Sequence, residues 1–214
     1  SRLGQNQAIR NELAEIMPTV SVIIAAGVGT RPNAKWCDDH HMETMDCNVT
    51  SQLAIAAICR DLGLHCTEIG TSAFYHYDEA HPLGSDAGFY DSDKANNAYI
   101  YYYKMRQLEE DLYKETGLDK TVLNLKAIFP MDHLVTSSSL IGKLLRFSKI
   151  NSIPSSVTVL NDLVPLALRM MQDKEVGNVN WVCKGVISNG GILRAYQQIV
   201  DPKFTFNENP ITQE

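Results

Sequence analysis

The chain alternates between short runs of β-branched residues and longer segments in which apolar residues recur every three or four positions. The run at 20–24, Val-Ser-Val-Ile-Ile, predicts a strand buried on both faces, as in a parallel sheet between helix layers. Further strands are predicted at 64–71, 122–129 and 179–183. The same pattern predicts helices at 7–16, 38–62, 98–114, 136–147, 161–171 and 188–200. Strands that alternate with helices indicate an α/β fold with right-handed parallel crossovers.

The loop that follows the first predicted strand has the features of a ligand site. Its Ala-Ala-Gly sequence at 25–27 is small enough for a ligand to approach the backbone, at the edge where open α/β sheets bind ligands. Arg31 and Asn33 follow and supply donors for a phosphate or a sugar hydroxyl. The segment 75–97 has no sustained period, and we predict that it forms a long functional loop.

Composition narrows the class of protein. The 214 residues are 44% hydrophobic and 21% charged, which is typical of one globular domain. A net charge of −6 without a dense Lys/Arg cluster argues against a nucleic-acid partner, and no stretch reaches the ~18 apolar residues that membrane insertion needs. Five cysteines without Cys-x-x-Cys spacing favour reduced thiols and an intracellular, cytoplasmic protein. An organelle is the alternative if a targeting segment has been removed.

The histidines do not suggest a metal site. His40 and His41 are adjacent, so on a helix their side chains point apart. His76 and His81 lie in the predicted loop without a convergent set of cysteines or carboxylates. We therefore predict no metal.

Short motifs spread over most of the chain resemble one family. They are Ala-Ala-Gly-Val at 25–28, Arg-Pro-Asn at 31–33, Trp-Cys at 36–37, His-Pro-Leu-Gly-Ser at 81–85, Ile-Pro-Ser-Ser at 153–156 and Val-Ile-Ser at 186–188. The chain thus resembles the plant and giant-virus bifunctional epimerase/reductases that complete nucleotide-linked rhamnose. These are extended short-chain dehydrogenases related to bacterial dTDP-4-dehydrorhamnose reductases. The resemblance implies an incomplete Rossmann-like, doubly wound parallel sheet with helices on both faces.

The resemblance also bears on domains and cofactor. It implies one truncated or degenerate domain, 1–214, with a small substrate lobe from 130–160 and 184–214. Dinucleotide binding needs a glycine-rich turn after the first strand, and no Gly-x-x-Gly-x-x-Gly occurs in the chain. We therefore expect no cofactor for these residues alone, and NADPH or NADH if they are a fragment of a longer enzyme. In that case the resemblance implies cofactor contacts at three residues: Ala25, Ala26 and Gly27.

The catalytic tyrosine of the family corresponds to Tyr101. In the family this hydroxyl protonates the substrate carbonyl, and a lysine four residues later lowers its pKa from the same helix face. Here that later position is Met105, which has no charge and no donor. Tyr102 and Arg106 have the same spacing, on a face rotated by about 100°. Alternatively, the neighbouring tyrosines are surface or interface aromatics.

Other family positions are partly retained. By the resemblance, Thr71 hydrogen-bonds the substrate carbonyl, and Lys143 matches a lysine of the epimerising members. Ala73 falls where those members have a cysteine acid/base, and Asn189 where relatives have a histidine. The resemblance further implies substrate contacts at four residues: Arg31, Asn33, His81 and Ser85.

Two functional hypotheses follow. The first is a degenerate, non-catalytic relative of the NAD(P)H-dependent 4-keto-6-deoxyhexose-nucleotide reductases, which serves as a structural or regulatory subunit. The second is a fragment of an active nucleotide-sugar 3,5-epimerase/4-reductase of rhamnose biosynthesis. The substitutions Met105, Ala73 and Asn189 favour the first. In both, the resemblance implies a nucleotide-sugar ligand and pairing into a homodimer or larger assembly through helices 38–62 and 98–114.

Overall fold

The computed structural model of the chain describes residues 2–29 and 33–209. Within these ranges the α-helices are α1 (Arg2–Ile16), α2 (Trp36–Asp39), α3 (His41–Met45), α4 (Ser51–Asp61), α5 (Tyr101–Glu115), α6 (Leu140–Leu144), α7 (Leu160–Gln172) and α8 (Asn189–Ile199). The strands are β1 (Val22–Ile24), β2 (Cys66–Thr71), β3 (Val122–Ala127), β4 (Lys149–Ile150), β5 (Gly177–Asn180) and β6 (Asn207–Glu208). None of the helices described is both long and apolar enough to cross a bilayer.

The main sheet is parallel throughout, in the order β1-β2-β3-β5. Its strands therefore end at one edge, and the loops that leave this edge meet there. Because side chains alternate along a strand, Val122 faces a core formed with α4 and α5, whereas Leu123 and Leu125 face α7. Helices thus cover both faces, and the predicted α/β class with a parallel sheet is confirmed.

The first strand differs from its prediction. It spans Val22–Ile24, and only one of its faces is buried: Ile24 is 4% exposed, whereas Ile23 is 51% exposed. Within the part of the chain that the structure describes, β1 is an edge strand, paired on one side with β2. Helices α1 and α4 pack on the face that carries Ile24, whereas the described part of the chain leaves Ile23 on the opposite face half-exposed. The prediction of burial on both faces is therefore wrong.

The single helix predicted at 38–62 is also wrong. His40 adopts φ −130° and ψ 51°, which separates α2 from α3, and a π-helical turn, Asp46–Thr50, separates α3 from α4. This turn carries the buried Asn48, whose side chain is directed at the loop after β1. The spacing of hydrophobic residues indicates which face of a helix is buried, but it does not reveal a π-helical turn within the helix.

A second core forms near the C-terminal part of the chain. Strands β4 and β6 pair in parallel beside α6 and α8, and Leu144, Ile150, Ile192 and Leu193 are buried between them. Helix α6 is shorter than the predicted 136–147 because Ser139 caps it, with its Oγ accepting from the Gly142 N–H at 3.2 Å. That 130–160 and 184–214 form a lobe of their own stays a prediction.

Candidate functional site

A cleft of about 700 Å³ opens at the carboxyl edge of the main sheet, between the sheet and the C-terminal core. Such a volume is typical of small-molecule sites. Side chains from three parts of the chain line it, among them Ala73, Tyr75 and Tyr77 after β2, Tyr103 in the first turn of α5, and Asn151 and Asn189 beside the C-terminal core. The cleft therefore lies where the sheet topology leads us to expect a ligand.

The lining suits a neutral ring with several hydroxyl groups. Tyrosine rings offer apolar faces and hydroxyls, and the two asparagines offer both donors and acceptors. Asp78 and Glu79 also lie on the lining, whereas no lysine or arginine among the described residues does. A pyrophosphate favours cations and backbone N–H groups, so this lining fits a sugar better than a phosphate.

Hydrogen bonds hold the walls of the cleft in place. The Tyr77 hydroxyl donates to the Pro154 carbonyl at 2.7 Å, which ties the loop after β2 to the opposite wall. The Asn96 carboxamide accepts from the His76 N–H at 2.7 Å and donates to the His76 carbonyl at 2.8 Å. The segment predicted to be a functional loop is therefore ordered without regular secondary structure.

A buried lysine lies behind the same wall. Lys126 is fully buried in β3, and its Nζ donates to the Tyr75 hydroxyl at 2.9 Å and to the Asp91 carbonyl at 3.2 Å. The ammonium also lies 5.5 Å and 5.2 Å from the ring centroids of Phe74 and Tyr75. Burial lowers the pKa of Lys126. Our sequence reasoning missed this residue, although a lysine within an apolar strand run is the signal that could have found it.

The loop after β1 is hydrogen-bonded to Asn48 and Gln52 on one side and exposed on the other. The Asn48 carboxamide accepts from the Val28 N–H at 2.8 Å and donates to the Val28 carbonyl at 2.6 Å. Gln52 Nε2 donates to the Ala26 carbonyl at 2.7 Å. Ala25, Ala26 and Gly27 remain exposed on the other side, so their backbone is accessible to a planar group. Arg31, the predicted phosphate donor of this loop, lies outside the described residues.

Met105, which by the resemblance stands where the family has a lysine, offers no hydrogen bond to the ribose of a cofactor. Met105 is only 9% exposed and has no hydrogen-bond donor. Tyr101, four residues earlier, stacks on His41 with ring centroids 3.9 Å apart, and its N–H donates to Asp38 at 2.8 Å. The described residues thus fit a nicotinamide cofactor at the exposed loop and fail to fit it at Met105.

Arg106, the cation four residues after Tyr102, is engaged in a buried ion network. Its guanidinium donates to Glu68 and, at 2.8 Å, to Glu109, and all three side chains are buried. The Tyr113 hydroxyl donates to the other Glu68 oxygen at 2.6 Å. Burial raises the pKa of Tyr102 despite the attraction of Arg106, and burial also raises the pKa of Glu109 well above its usual range. This network joins α5 to β2.

The remaining catalytic candidates lie away from the lining. Thr71 is buried at the end of β2, and its Oγ1 accepts from the Ala73 N–H at 3.1 Å. Lys143 lies half-buried in α6. Neither lines the cleft, whereas Ala73 and Asn189, which by the resemblance fall where the family has a cysteine and a histidine, both do. The catalytic roles of Thr71 and Lys143 stay predictions.

Three of the predicted substrate-binding side chains make hydrogen bonds or ring contacts within the protein. Asn33 is exposed, and its Oδ1 accepts from the Lys35 N–H at 3.0 Å. His81 pairs with Asp78 at 2.8 Å and stacks on Phe89 at 3.8 Å, and hydrogen bonding to His81 lowers the pKa of Asp78. Ser85 is exposed and accepts from the backbone two residues on, at 3.2 Å. Their contacts with a substrate stay predictions.

The described residues show neither a cluster of metal ligands nor one shared face of tyrosines around the start of α5. In the ranges 2–29 and 33–209, no group of three or more His, Cys, Asp or Glu side chains is arranged to hold a metal ion. Tyr99 is 84% exposed, Tyr102 packs near Gly29, and Tyr103 lines the cleft. These tyrosines therefore do not share one face, and pairing through the two predicted helices stays a prediction.

Comparisons with known proteins show what the chain is similar to. No protein-family model matches it. It is 34% identical over 214 residues to a bifunctional dTDP-4-dehydrorhamnose 3,5-epimerase/dTDP-4-dehydrorhamnose reductase of Arabidopsis thaliana, and it covers 70% of that protein. It is 33% identical to a trifunctional UDP-glucose 4,6-dehydratase/UDP-4-keto-6-deoxy-D-glucose 3,5-epimerase/UDP-4-keto-L-rhamnose-reductase of the same plant, over 95% of this chain and 30% of that protein.

Solved structures give the same picture. The crystal structure of the L780 UDP-rhamnose synthase from Acanthamoeba polyphaga mimivirus matches with a TM-score of 0.87 and 27% identity, over 98% of this chain and 73% of that chain. A dTDP-4-dehydrorhamnose reductase from Bacillus anthracis, solved in complex with NADP, matches with a TM-score of 0.77 and 13% identity, over 97% of this chain and 70% of that chain. The second match shows the fold alone, that of Rossmann-like reductases.

Proposed function

Because the chain belongs to the family of rhamnose-forming dTDP-4-dehydrorhamnose epimerase/reductases, we propose that it binds the sugar of a nucleotide-linked 4-keto-6-deoxyhexose. The observation that carries this proposal is the cleft at the carboxyl edge of the sheet, with its tyrosine and asparagine lining. The chain covers 70% of the bifunctional relative and 30% of the trifunctional one, so the complete reaction belongs to the proposal as well.

The bound sugar would occupy the cleft, and its pyrophosphate would lie outside. Tyrosine rings stack against the apolar faces of a pyranose, while Asn151 and Asn189 hydrogen-bond its hydroxyl groups. The absence of lysine and arginine from the described lining keeps the charged part of the nucleotide away from the ring pocket. Arg31, which lies outside the described residues, remains our proposed phosphate donor.

In the working enzyme, reduction of the 4-keto group would use NADPH or NADH, which supplies a hydride. The residues of this chain that would face the cofactor are Ala25, Ala26 and Gly27. They lie on the exposed side of the loop after β1, whereas Asn48 and Gln52 hydrogen-bond its opposite side. Met105 offers no donor to a ribose, and Ala73 cannot move a proton as the relatives' cysteine is expected to do.

These two residues favour a second candidate function. A chain that keeps the sugar cleft but has Met105 and Ala73 at the reacting positions would bind the nucleotide sugar without turning it over. Such a protein would serve as a structural or regulatory subunit. The stacking of Tyr101 on His41 supports this candidate, because it takes up a face of the tyrosine ring at the family's acid position.

Calorimetric titration with UDP-L-rhamnose and dTDP-L-rhamnose tests the cleft. We expect micromolar binding, weaker binding of UDP alone, and loss of sugar binding when Ala73→Phe fills the cleft. The matched control is Ala87→Phe, at an exposed position of the same loop. Equal affinity for UDP and the sugar nucleotides would contradict the proposal. Turnover of UDP-4-keto-L-rhamnose with NADPH would favour the enzyme, and binding without turnover would favour the second candidate.

A further inference from the structure

Helix α5 begins with three consecutive tyrosines, Tyr101, Tyr102 and Tyr103, which lie on three different sides of the helix. Each residue advances about 100° around the axis, so Tyr101 and Tyr103 are about 200° apart. If one hydroxyl of this turn reaches a ligand, the other two do not reach it from the same direction. The environment of each tyrosine therefore decides which one it is.

Tyr101 and Tyr102 are engaged elsewhere. The Tyr101 ring stacks on His41, and its N–H is held by the carboxylate of Asp38. The Tyr102 ring packs against the loop after β1 so closely that a Cβ on Gly29 would lie 2.6 Å from it. Neither side chain lines the cleft.

Tyr103 does line the cleft, together with Ala73 and Asn189. Its ring packs edge-to-face on Tyr102, with centroids 5.7 Å apart, which fixes its direction. Its hydroxyl has no hydrogen-bond partner among the residues that the structure describes. Burial raises the pKa of Tyr103, so the hydroxyl keeps its proton and is a donor at neutral pH.

We propose that Tyr103, and not Tyr101, is the tyrosine of α5 that hydrogen-bonds the sugar ring in the cleft. This inference rests on the proposed function and adds the residue that reads the sugar. The role is binding: the Tyr103 hydroxyl donates to a sugar oxygen, and within 2–29 and 33–209 no cation lowers its pKa to make it give up its proton. The family's register, which points to Tyr101, therefore misplaces the ligand-facing hydroxyl of this chain by two residues.

Three single substitutions in the full chain test the inference: Tyr103→Phe, Tyr101→Phe and Tyr99→Phe. Each removes one hydroxyl and keeps the ring. In titrations with UDP-L-rhamnose we expect Tyr103→Phe to raise the dissociation constant by about 3- to 10-fold, which corresponds to the loss of one neutral hydrogen bond. Tyr101→Phe and Tyr99→Phe should stay within about twofold of the unmodified chain, since neither hydroxyl faces the cleft.

A second measurement uses the unmodified protein with isotope-labelled tyrosine rings. Ring resonances of Tyr103 should shift on addition of UDP-L-rhamnose, and those of Tyr101 should not. Loss of affinity in Tyr101→Phe with none in Tyr103→Phe would overturn the inference and leave the cleft intact. If the unmodified chain does not bind UDP-L-rhamnose at all, the proposed function fails, and this inference fails with it.

Discussion

Replacing Arg106 by methionine tests whether the buried ion network behind the cleft holds α5 on the sheet. The side chain of Arg106 is 6% exposed, and those of its partners Glu68 and Glu109 are 1% and 2% exposed. Methionine keeps most of the volume and removes the charge. The substitution leaves two carboxylates in a site that water does not reach.

The expected loss is large because the partners stay behind. Breaking a buried pair by removing one partner costs about 3–5 kcal/mol, most of it from the uncompensated charge. Arg60→Met is the matched control, since Arg60 pairs with Asp61 at 3.3 Å and both side chains are more than two-fifths exposed. Solvent screens that pair, so we expect little or no change in stability.

The loss should depend on pH in a defined direction. Glu109 already has a raised pKa in the folded protein, so its contribution to stability falls as pH rises above the ordinary glutamate value of about 4.5. Without Arg106 this pKa rises further, because burial disfavours the charged form. Protonation at low pH relieves the repulsion, and Arg106→Met should therefore lose less stability at pH 5 than at pH 8.

Urea unfolding, followed by the fluorescence of the buried Trp181, measures both effects. We expect Arg106→Met to lower the free energy of unfolding by about 3–5 kcal/mol at pH 8 and by clearly less at pH 5. An equal loss at the two pH values would refute the reasoning from uncompensated carboxylates. So would a loss no greater than that of Arg60→Met.

Three further substitutions probe the walls of the cleft and the loop after β1. Lys126→Met should speed amide exchange in the loop after β2, because the Lys126 ammonium hydrogen-bonds Tyr75 and Asp91 there. The control Lys120→Met, at an exposed position, should leave that exchange unchanged. Equal exchange in the two variants would contradict this role of Lys126. Asn48→Ala should cost about 1–3 kcal/mol and expose the loop after β1 to exchange, and unchanged exchange there would contradict it. Gly142→Ala should lower Tm by about 4 °C or more, because its Cβ would lie 1.8 Å from a backbone oxygen, whereas Gly88→Ala meets nothing within 4 Å and should leave Tm unchanged.

The strands of the sheet were accessible to sequence reasoning because their apolar runs report burial. The predictions at 64–71 and 122–129 correspond to β2 and β3. The same runs contain Glu68 and Lys126, whose burial no local pattern explains. Their partners Arg106 and Tyr75 lie 38 and 51 residues away in sequence, and only the folded chain brings them together.

The helix boundaries failed where tertiary contacts override local propensity. Residues 38–62 have a helical period, and the structure still breaks there at His40 and widens into a π-turn around Asn48. The reason lies in the loop after β1: the Asn48 carboxamide satisfies both backbone groups of Val28. This hydrogen bond joins residues 20 positions apart in sequence, so the helical spacing of residues 38–62 cannot predict it.

The register of α5 shows the limit of a family motif. By the resemblance, Leu108-Glu109-Glu110 sets the alignment of the helix along the chain, and that alignment predicts Tyr101 at the family's acid position. It does not set the rotation of the helix about its axis. In this chain that rotation is held by two contacts, namely Arg106 against Glu68 of β2 and the Tyr101 ring against His41. Tyr103, two residues after Tyr101, is the tyrosine of this turn that lines the cleft.

Apart from Asp78 and Glu79, which lie on the lining, the charged side chains discussed above hold the walls of the cleft. Arg106 pairs with both Glu68 and Glu109 between α5 and β2, and the Lys126 ammonium hydrogen-bonds the Tyr75 hydroxyl in the loop after β2. The groups that reach the ligand space from α5 and the C-terminal core are neutral hydroxyl and amide groups. Neutral donors gain little from long-range attraction and depend on direction. If the proposed sugar binds in this cleft, discrimination would therefore rest on how its hydroxyls are oriented toward the Tyr103 hydroxyl and the Asn151 and Asn189 carboxamides.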